Sequence, residues 1–348
     1  MFLAMAKHMK WAEGFIAVDW GTTNRRAYRI DSSGLCQDEF EDSNGVLSIG
    51  STGFGDAVGQ IRERLGAHPM LLAGMIGSNR GWKEAPYVPC PAGLDDLAGK
   101  LVWAGDQEAI VPGVSYVGDN RADVMRGEEV QLLGAVASGL VGPDALVCHP
   151  GTHNKWAQLG GGAIRSFRTI MTGELFSLLK DHSILSDLLT GEVEANDTFR
   201  SAARYALRND TLPADLFAVR ARVLLGQAEK KDAASYTSGL LIGTDVRIGL
   251  SQSPTDEIVV IGRPDLTRLY AAAIAEAGKA VTELGGEKCF LSGIVEIAKR
   301  MSWAQANCCT ATSTNARWSR SFAESPPTRP RRSARRSMTP ESGSSRCR

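Results

Sequence analysis

Two short stretches of this chain set a glycine and threonines in a turn directly after a run of strand-forming residues. In the first, Asp19-Trp20-Gly21-Thr22-Thr23-Asn24, a carboxylate ends the apolar run Phe15 to Trp20, and the turn offers backbone amides and hydroxyls to one concavity. Such groups bind phosphoryl oxygens, and a carboxylate beside them can hold Mg²⁺ directly or through water, which makes Asp19 the candidate metal residue. The same residues would also serve an ordinary hairpin with Gly and Asn in its turn. The second stretch, Pro150-Gly151-Thr152-His153-Asn154-Lys155, repeats the arrangement, so Gly151, Thr152, His153 and Lys155 join Gly21, Thr22, Thr23 and Asn24 as phosphate-binding candidates. Cys148, His149 and His153 raise the thought of zinc, but Pro150 and Gly151 break any helix that could align the two histidines.

Between the two hairpins, Arg121 to Glu129 (RADVMRGEE) is an acid-rich approach to a helix. Phosphoryl transfer to a hydroxyl needs a carboxylate to accept its proton, and Asp123 and Glu128 are the candidates. Acids are also enriched in a helix's first turn for its dipole, which explains one or two of them without chemistry. Gly74 to Gly93 is rich in glycine, proline and aromatics and is expected to be a long ordered loop, the kind that carries function. Its Arg80, Trp82, Glu84 and Tyr87 could supply a guanidinium that suits a planar carboxylate, a stacking face and hydroxyl-binding groups; Arg126 and Arg168 compete with Arg80, and each arginine would serve equally as a structural ion-pair partner. Further on, Ile261-Gly262-Arg263-Pro264 leaves a strand and opens a helix; Gly262 there could let the backbone approach a nucleotide, and the alternative is simply a helix start with Pro264 in its first turn.

The paired hairpins resemble the two phosphate loops of actin-like kinases, and RGEEVQLLG resembles the stretch that carries the catalytic acid in related carbohydrate kinases, which favours Glu128 over Asp123. VDWGTTNRRAYR, GMIGSNRGWKEAPYVPCPAG, RADVMRGEEVQLLGA, HPGTHNKWA and FRTIMTGELFSLL together resemble the 2-dehydro-3-deoxygalactonokinases over about residues 14 to 300. The resemblance implies an α/β, two-domain actin-like (ribonuclease H-like) fold with an interdomain cleft. It implies ATP and Mg²⁺ as cofactors and transfer of the γ-phosphoryl to the 6-hydroxyl of 2-dehydro-3-deoxygalactonate, in galactonate catabolism. It also implies that the chain should continue past Lys299 in ordered structure.

The elements that must position these residues follow from periodicity. Strands are expected at Phe15 to Trp20, Arg25 to Ile30, Leu35 to Phe40, Met70 to Ala73, Ala145 to Cys148, Asn154 to Leu159 and Glu257 to Ile261. Helices are expected at Phe54 to Leu65, from Asp123 to about Ser138, in several pieces over 172–250, at about Pro264 to Gly278 and from Leu291 onward. The domain boundary is placed near residue 120, giving an N-terminal domain at 1–120 and a C-terminal domain at 121–301.

At 348 residues, 43% apolar and 22% charged, the chain is long enough for two domains of ordinary size. Its 39 basic and 39 acidic residues cancel. Ten of those arginines but only Glu324 and Glu341 lie from Arg300 onward, so the body before it carries about −8. An acidic body argues against nucleic-acid binding, and no helix-turn-helix pattern supports a sugar-sensing regulator on the same fold. No window is long and apolar enough for a membrane span, and the opening MFLAMAKHMK lacks an apolar signal core and a cleavage site, so a cytoplasmic location is expected. There is no GxxxxGK[ST] and no dinucleotide fingerprint. Cys36, Cys90, Cys148 and Cys289 lack CxxC spacing and read as reduced, mostly buried thiols. Residues 302–348, rich in Arg, Ser and Pro, are expected to be disordered, as a frameshift product near Ser302 or a basic tail for an acidic partner. The resemblance implies ATP and a small sugar acid as partners, and the sequence is silent on oligomeric state.

Overall fold

The run Phe15–Trp20 (β1) is apolar on both faces because both are covered. The computed structural model, which describes residues 13–50, 53–118 and 120–301, places β1 at the centre of a sheet. Successive side chains alternate between two cores: Phe15 and Ala17 pack with Leu71 and Ala73 on one face, Ile16, Val18 and Trp20 with Met70 and Leu72 on the other. Each such fully buried large side chain contributes about 1.5–3 kcal/mol of hydrophobic stabilisation.

Arg25–Ile30 (β2) and Cys36–Asp42 (β3) continue from β1 as an antiparallel meander. The amphipathic helix Phe54–Leu65 (α1) then crosses to Met70–Gly74 (β4), which lies parallel to β1. The long loop that follows holds Val88–Pro89 (β5) and Leu94–Gly99 (α2). Val102–Trp103 (β6) and Glu108–Ile110 (β7) complete the first sheet, in the order β3-β2-β1-β4-β7-β6. Val114–Gly118 (β8) and Arg121–Met125 (β9) form a hairpin beside β5, turning at Asn120, whose φ of 60° is one that asparagine tolerates well.

The helix Glu128–Ala137 (α3) leads to the second sheet, which repeats the plan. Ala145–His149 (β10), Asn154–Gly160 (β11) and Ala163–Ile170 (β12) form the meander. The helices Thr172–His182 (α4), Asp197–Ala206 (α5), Leu212–Leu224 (α6) and Ala233–Leu250 (α7) follow. Glu257–Gly262 (β13) then lies parallel to β10, followed by Pro264–Glu276 (α8), Ala280–Gly285 (β14) and Gly286–Arg300 (α9). The order β12-β11-β10-β13-β14 matches β3-β2-β1-β4-β7, the duplicated α/β arrangement expected of an actin-like fold.

All the described residues belong to one compact unit. One core joins both sheets: Phe15, Ala17 and Leu71 share it with Val147, Phe167 and Ile261, and α3 and α9 lie within it. Those two helices meet backbone to backbone. A Cβ on Gly134 would lie 2.0 Å from the Cys289 carbonyl oxygen, and one on Gly293 would lie 2.1 Å from that of Val130.

Several elements differ from expectation. The helix expected from Asp123 begins only at Glu128, because Arg121–Met125 pairs with β8 and Gly127, at φ 110°, turns the chain first. Strand β12 and the half-exposed edge strand β14 were not anticipated, and the last helix starts at Gly286 rather than Leu291. Cys36 is exposed, at the start of the edge strand β3, rather than buried. The tail assigned to residues 302–348 lies outside the described residues. Among the described residues no helix is long and apolar enough to cross a membrane.

Candidate active site

A cleft of about 960 Å³ is walled by both sheets. Asp19, Arg26, Tyr28 and Glu41 come from the first; His149 to Thr152, Gly262 to Leu266 and Gly285 to Glu287 come from the second, with Gln131 of α3 between them. Of the phosphate-binding candidates, Asp19, Gly151, Thr152 and Gly262 line this space.

The first hairpin is braced from one side. Gly21 N–H donates to Asn24 O at 2.9 Å, while the amides of Gly45, Val46 and Leu47 donate to the carbonyls of Thr23, Gly21 and Thr22 at 3.0 to 3.1 Å. Only glycine fits at position 45, where a Cβ would stand 2.3 Å from Thr23 backbone. With its carbonyls committed in this way, the turn leaves Thr22 and Thr23 exposed. Gly21, Thr22, Thr23 and Asn24 lie beyond the cleft's lining, and the Asn24 amide donates to Glu41 at 3.4 Å.

Asp19 sits opposite Arg26 across the β1–β2 ladder. Burial pushes its carboxyl up to about 6 against the pull of Arg26, and the nearby negative charges of Glu128 and Glu41 add to the rise. An anionic position this poorly compensated suits a cation. Among the described residues no cluster of three or more metal-ligating side chains exists, so a Mg²⁺ here would take its other ligands from water and nucleotide phosphates, as that ion prefers.

The second hairpin is locked from below. Gly173 packs against it so closely that a Cβ would lie 2.6 Å from Gly151 O, and Glu174 N–H donates to Thr152 O at 3.0 Å. Asn154, at the hairpin's end, donates to the buried Asp245 at 2.8 Å, and Trp156, Thr172 and Tyr270 donate to the same carboxylate. Burial pushes Asp245 up to about 6, and these four donors pull it back down. His153 turns away from the cleft onto Glu174, 2.5 Å from its carboxylate. Lys155, 4% exposed, donates to His153 O at 3.0 Å and pairs with Glu128 at 3.2 Å.

That ion pair decides the state of Glu128. Burial alone would raise this carboxyl, yet Lys155 first, then His149 and hydrogen bonding, hold it below the ordinary glutamate value. Glu128 is therefore ionised at neutral pH, as a proton acceptor must be. Its other oxygen accepts the Arg126 N–H at 3.1 Å. Asp123 is otherwise engaged: its carboxylate accepts the Thr169 amide at 2.7 Å, the Thr169 hydroxyl at 2.6 Å and the Val124 amide at 2.9 Å, tying β9 to β12. Glu129, fully buried behind Glu128, takes the Gly127 amide at 2.7 and 2.8 Å. Burial, aided by the charge of Glu128, pushes it up to about 8.

The candidate sugar-acid residues separate. Arg80 and Glu84 are exposed, and Trp82 is half-buried against the outer core of the first sheet. Arg168 faces Trp156 in register, on the opposite side of the second sheet from Lys155 and its partner Thr169, and hence from Glu128. Arg126 is buried, with Tyr87 stacked 4.3 Å from its guanidinium carbon.

The family model described as 2-keto-3-deoxy-galactonokinase matches residues 19–297. A 2-dehydro-3-deoxygalactonokinase of Escherichia coli K12 is 35% identical over 287 residues, 82% of this chain and 97% of that one. The chain belongs to the 2-keto-3-deoxy-galactonokinase family. A solved structure from Sinorhizobium meliloti assigned to the same family superposes with a TM-score of 0.78 at 34% identity, covering 83% of this chain and 99% of that one.

Several lining residues of this galactonokinase-family cleft escaped the sequence reading: Arg26, Tyr28, Glu41, Gln131, His149 and Gly285 to Glu287. Arg26 was recoverable, since a four-residue turn after Trp20 sets it opposite Asp19. Gly285-Gly286 repeats the strand–glycine–helix junction of Gly262, and a Cβ on Gly286 would meet Gln131 at 2.6 Å. Nothing local marks Gln131, and His149 was weighed only as a zinc ligand; the two lie 2.9 Å apart only because α3 passes β10.

Proposed function

We propose that this chain transfers the γ-phosphoryl group of ATP to the 6-hydroxyl of 2-dehydro-3-deoxy-D-galactonate, releasing ADP and 2-dehydro-3-deoxy-6-phosphogalactonate, with Glu128 accepting the hydroxyl proton. The observation that carries this reading is the Glu128–Lys155 pair, in which a buried ionised carboxylate from α3 meets a cation from the second phosphate hairpin. ATP would lie in the cleft between Asp19 and the Gly262–Leu266 junction, its phosphates toward Gly151 and Thr152. The adjoining apolar pocket of about 350 Å³, lined by Phe176, Leu241, Ile242, Leu266 and Leu269, suits an adenine ring. A Mg²⁺ held by Asp19, directly or through water, would neutralise charge on the phosphates.

The residues of the chain then position the reactants. Asp19 and Arg26 face the phosphates from the first sheet, closure would have to bring Thr22 and Thr23 to them, and Lys155 steadies the base. Closure about a hinge near residue 120, between domains 1–120 and 121–301, would exclude water. The setting is the cytoplasm, where the 6-phosphate is ready for aldol cleavage.

The test is ADP release by the full chain with Mg·ATP, comparing 2-dehydro-3-deoxygalactonate with its gluconate epimer, galactonate and simple hexoses. The sugar acid should be preferred, and Glu128→Gln should lower kcat by roughly 10² to 10⁴ while leaving nucleotide binding intact. Full turnover by Glu128→Gln would remove it as the base.

A further inference from the structure

Arg126 and Glu128 leave the same turn at the end of β9, joined by the Arg126 amide on the Glu128 carboxylate. The Arg126 guanidinium does not point back to that carboxylate. It is 9% exposed, its Nη2 donates to Ala85 O at 2.8 Å, and its carbon lies 4.3 Å from the Tyr87 ring centroid. Nε and Nη1 have no hydrogen-bond partner among the described residues. A buried guanidinium with two unused donors is costly, and proteins keep such an arrangement where a ligand supplies the missing acceptor.

The surrounding charges favour an anion. Glu128 is neutralised by Lys155 at 3.2 Å. Glu129, the other acid near Arg126, has burial and Glu128 against its ionisation and keeps its proton to about pH 8. The cluster of Arg126, Lys155, Glu128 and Glu129 thus holds one unmatched positive charge at neutral pH. The loop is built around that charge. Ala85 N–H donates to Gly77 O at 2.9 Å, which fixes the Ala85 carbonyl that Arg126 uses, and a Cβ on Gly77 would stand 2.8 Å from Nη1. Arg80 is exposed, and Arg168 lies on the far side of the second sheet.

From this geometry we infer that Arg126, set between Gly77, Ala85 and Tyr87, is the specificity residue that receives the carboxylate of the sugar acid. The inference rests on the kinase reading above and adds the recognition of the substrate's anionic end. A six-carbon acid anchored there by C1 presents its far hydroxyl to the base that leaves the same turn. Tyr87, 38% exposed, forms the remaining wall and covers one face of the guanidinium.

The experiment compares the wild-type chain with Arg126→Met and Arg126→Lys, using 2-dehydro-3-deoxygalactonate and its carboxyl-reduced, uncharged analogue, with thermal melts as a check on folding. The wild type should prefer the acid on the order of 100-fold in kcat/KM. Arg126→Met should erase that preference by raising KM for the acid far more than KM for the uncharged analogue or for ATP, and Arg126→Lys should restore part of it. A wild type that treats the two sugars alike overturns the assignment without any variant. So does an Arg126→Met chain that keeps the preference, or that loses activity on both sugars and ATP together. A folded wild type that phosphorylates neither sugar defeats the kinase reading itself and this inference with it.

Discussion

Replacing Lys155 by Met should move the acid limb of the pH–rate profile to higher pH. Its Nζ lies 3.2 Å from Glu128 Oε1, and both side chains are largely shielded from solvent. At an effective dielectric constant near 20, such a pair attracts by about 5 kcal/mol before the cost of desolvating both ions is subtracted. What survives that cost must outweigh burial, since Glu128 is held below its ordinary value although burial acts to raise it. Without Lys155, burial prevails and the carboxyl rises. Because the base works only when ionised, the limb should climb by roughly one to three pH units, the usual effect of removing an opposite charge at this distance. The assay is kcat against pH from 5 to 9.5 at saturating ATP and sugar acid. The variant should lose more of its rate than the wild type toward the acid end of that range and regain it as pH rises. Lys155 also holds the His153 carbonyl, so a misplaced hairpin would raise KM for ATP evenly across pH. A variant whose limb stays at the wild-type position, however slow, would refute the electrostatic reasoning.

Two further perturbations probe the framework. Glu129 keeps its proton in the folded chain to about pH 8 but loses it near 4.5 when unfolded, so between those values the native state binds more protons. Stability should fall as pH rises through that window, by up to roughly 1.4 kcal/mol per unit. Glu129→Gln should flatten that slope above pH 6 in urea melts, and an unchanged slope would show that Glu129 does not titrate there. At the α3–α9 crossing, Gly134→Ala puts a methyl 2.0 Å from the Cys289 carbonyl oxygen. The helices would have to part, costing about 1–3 kcal/mol, and an unchanged Tm would mean the crossing is looser than drawn.

Much of the first sheet could be read locally. FIAVDW and RRAYRI carry strand composition with a turn between them, and the helix Phe54–Leu65 was legible to the residue because its apolar stripe and terminal glycine are local signals. Strand β14 escaped because it is a half-exposed edge whose composition, AVTELG, has no clear alternation. The helix before Glu128 was overextended because Asp123 to Arg126 suit a helix start, and only the partner strand β8 makes them extended.

The residue types of the site, a carboxylate before a glycine-threonine turn, a second such turn, and acids ahead of a helix, were determined by the sequence because each is a pattern within a few residues. Which of those groups meet was decided by tertiary structure alone. Asp123 and Glu128 are alike by composition; packing of β9 on β12 engages one with Thr169, and the approach of β11 gives the other to Lys155. His153 and Lys155 are two residues apart and would share one face of a continuous strand, but β11 begins only at Asn154, so His153 stays in the turn and reaches Glu174 while Lys155 reaches Glu128. Likewise Arg80, Arg126 and Arg168 are equal on paper. Only burial leaves Arg126 with donors unused, because burial removes the water that would otherwise satisfy them.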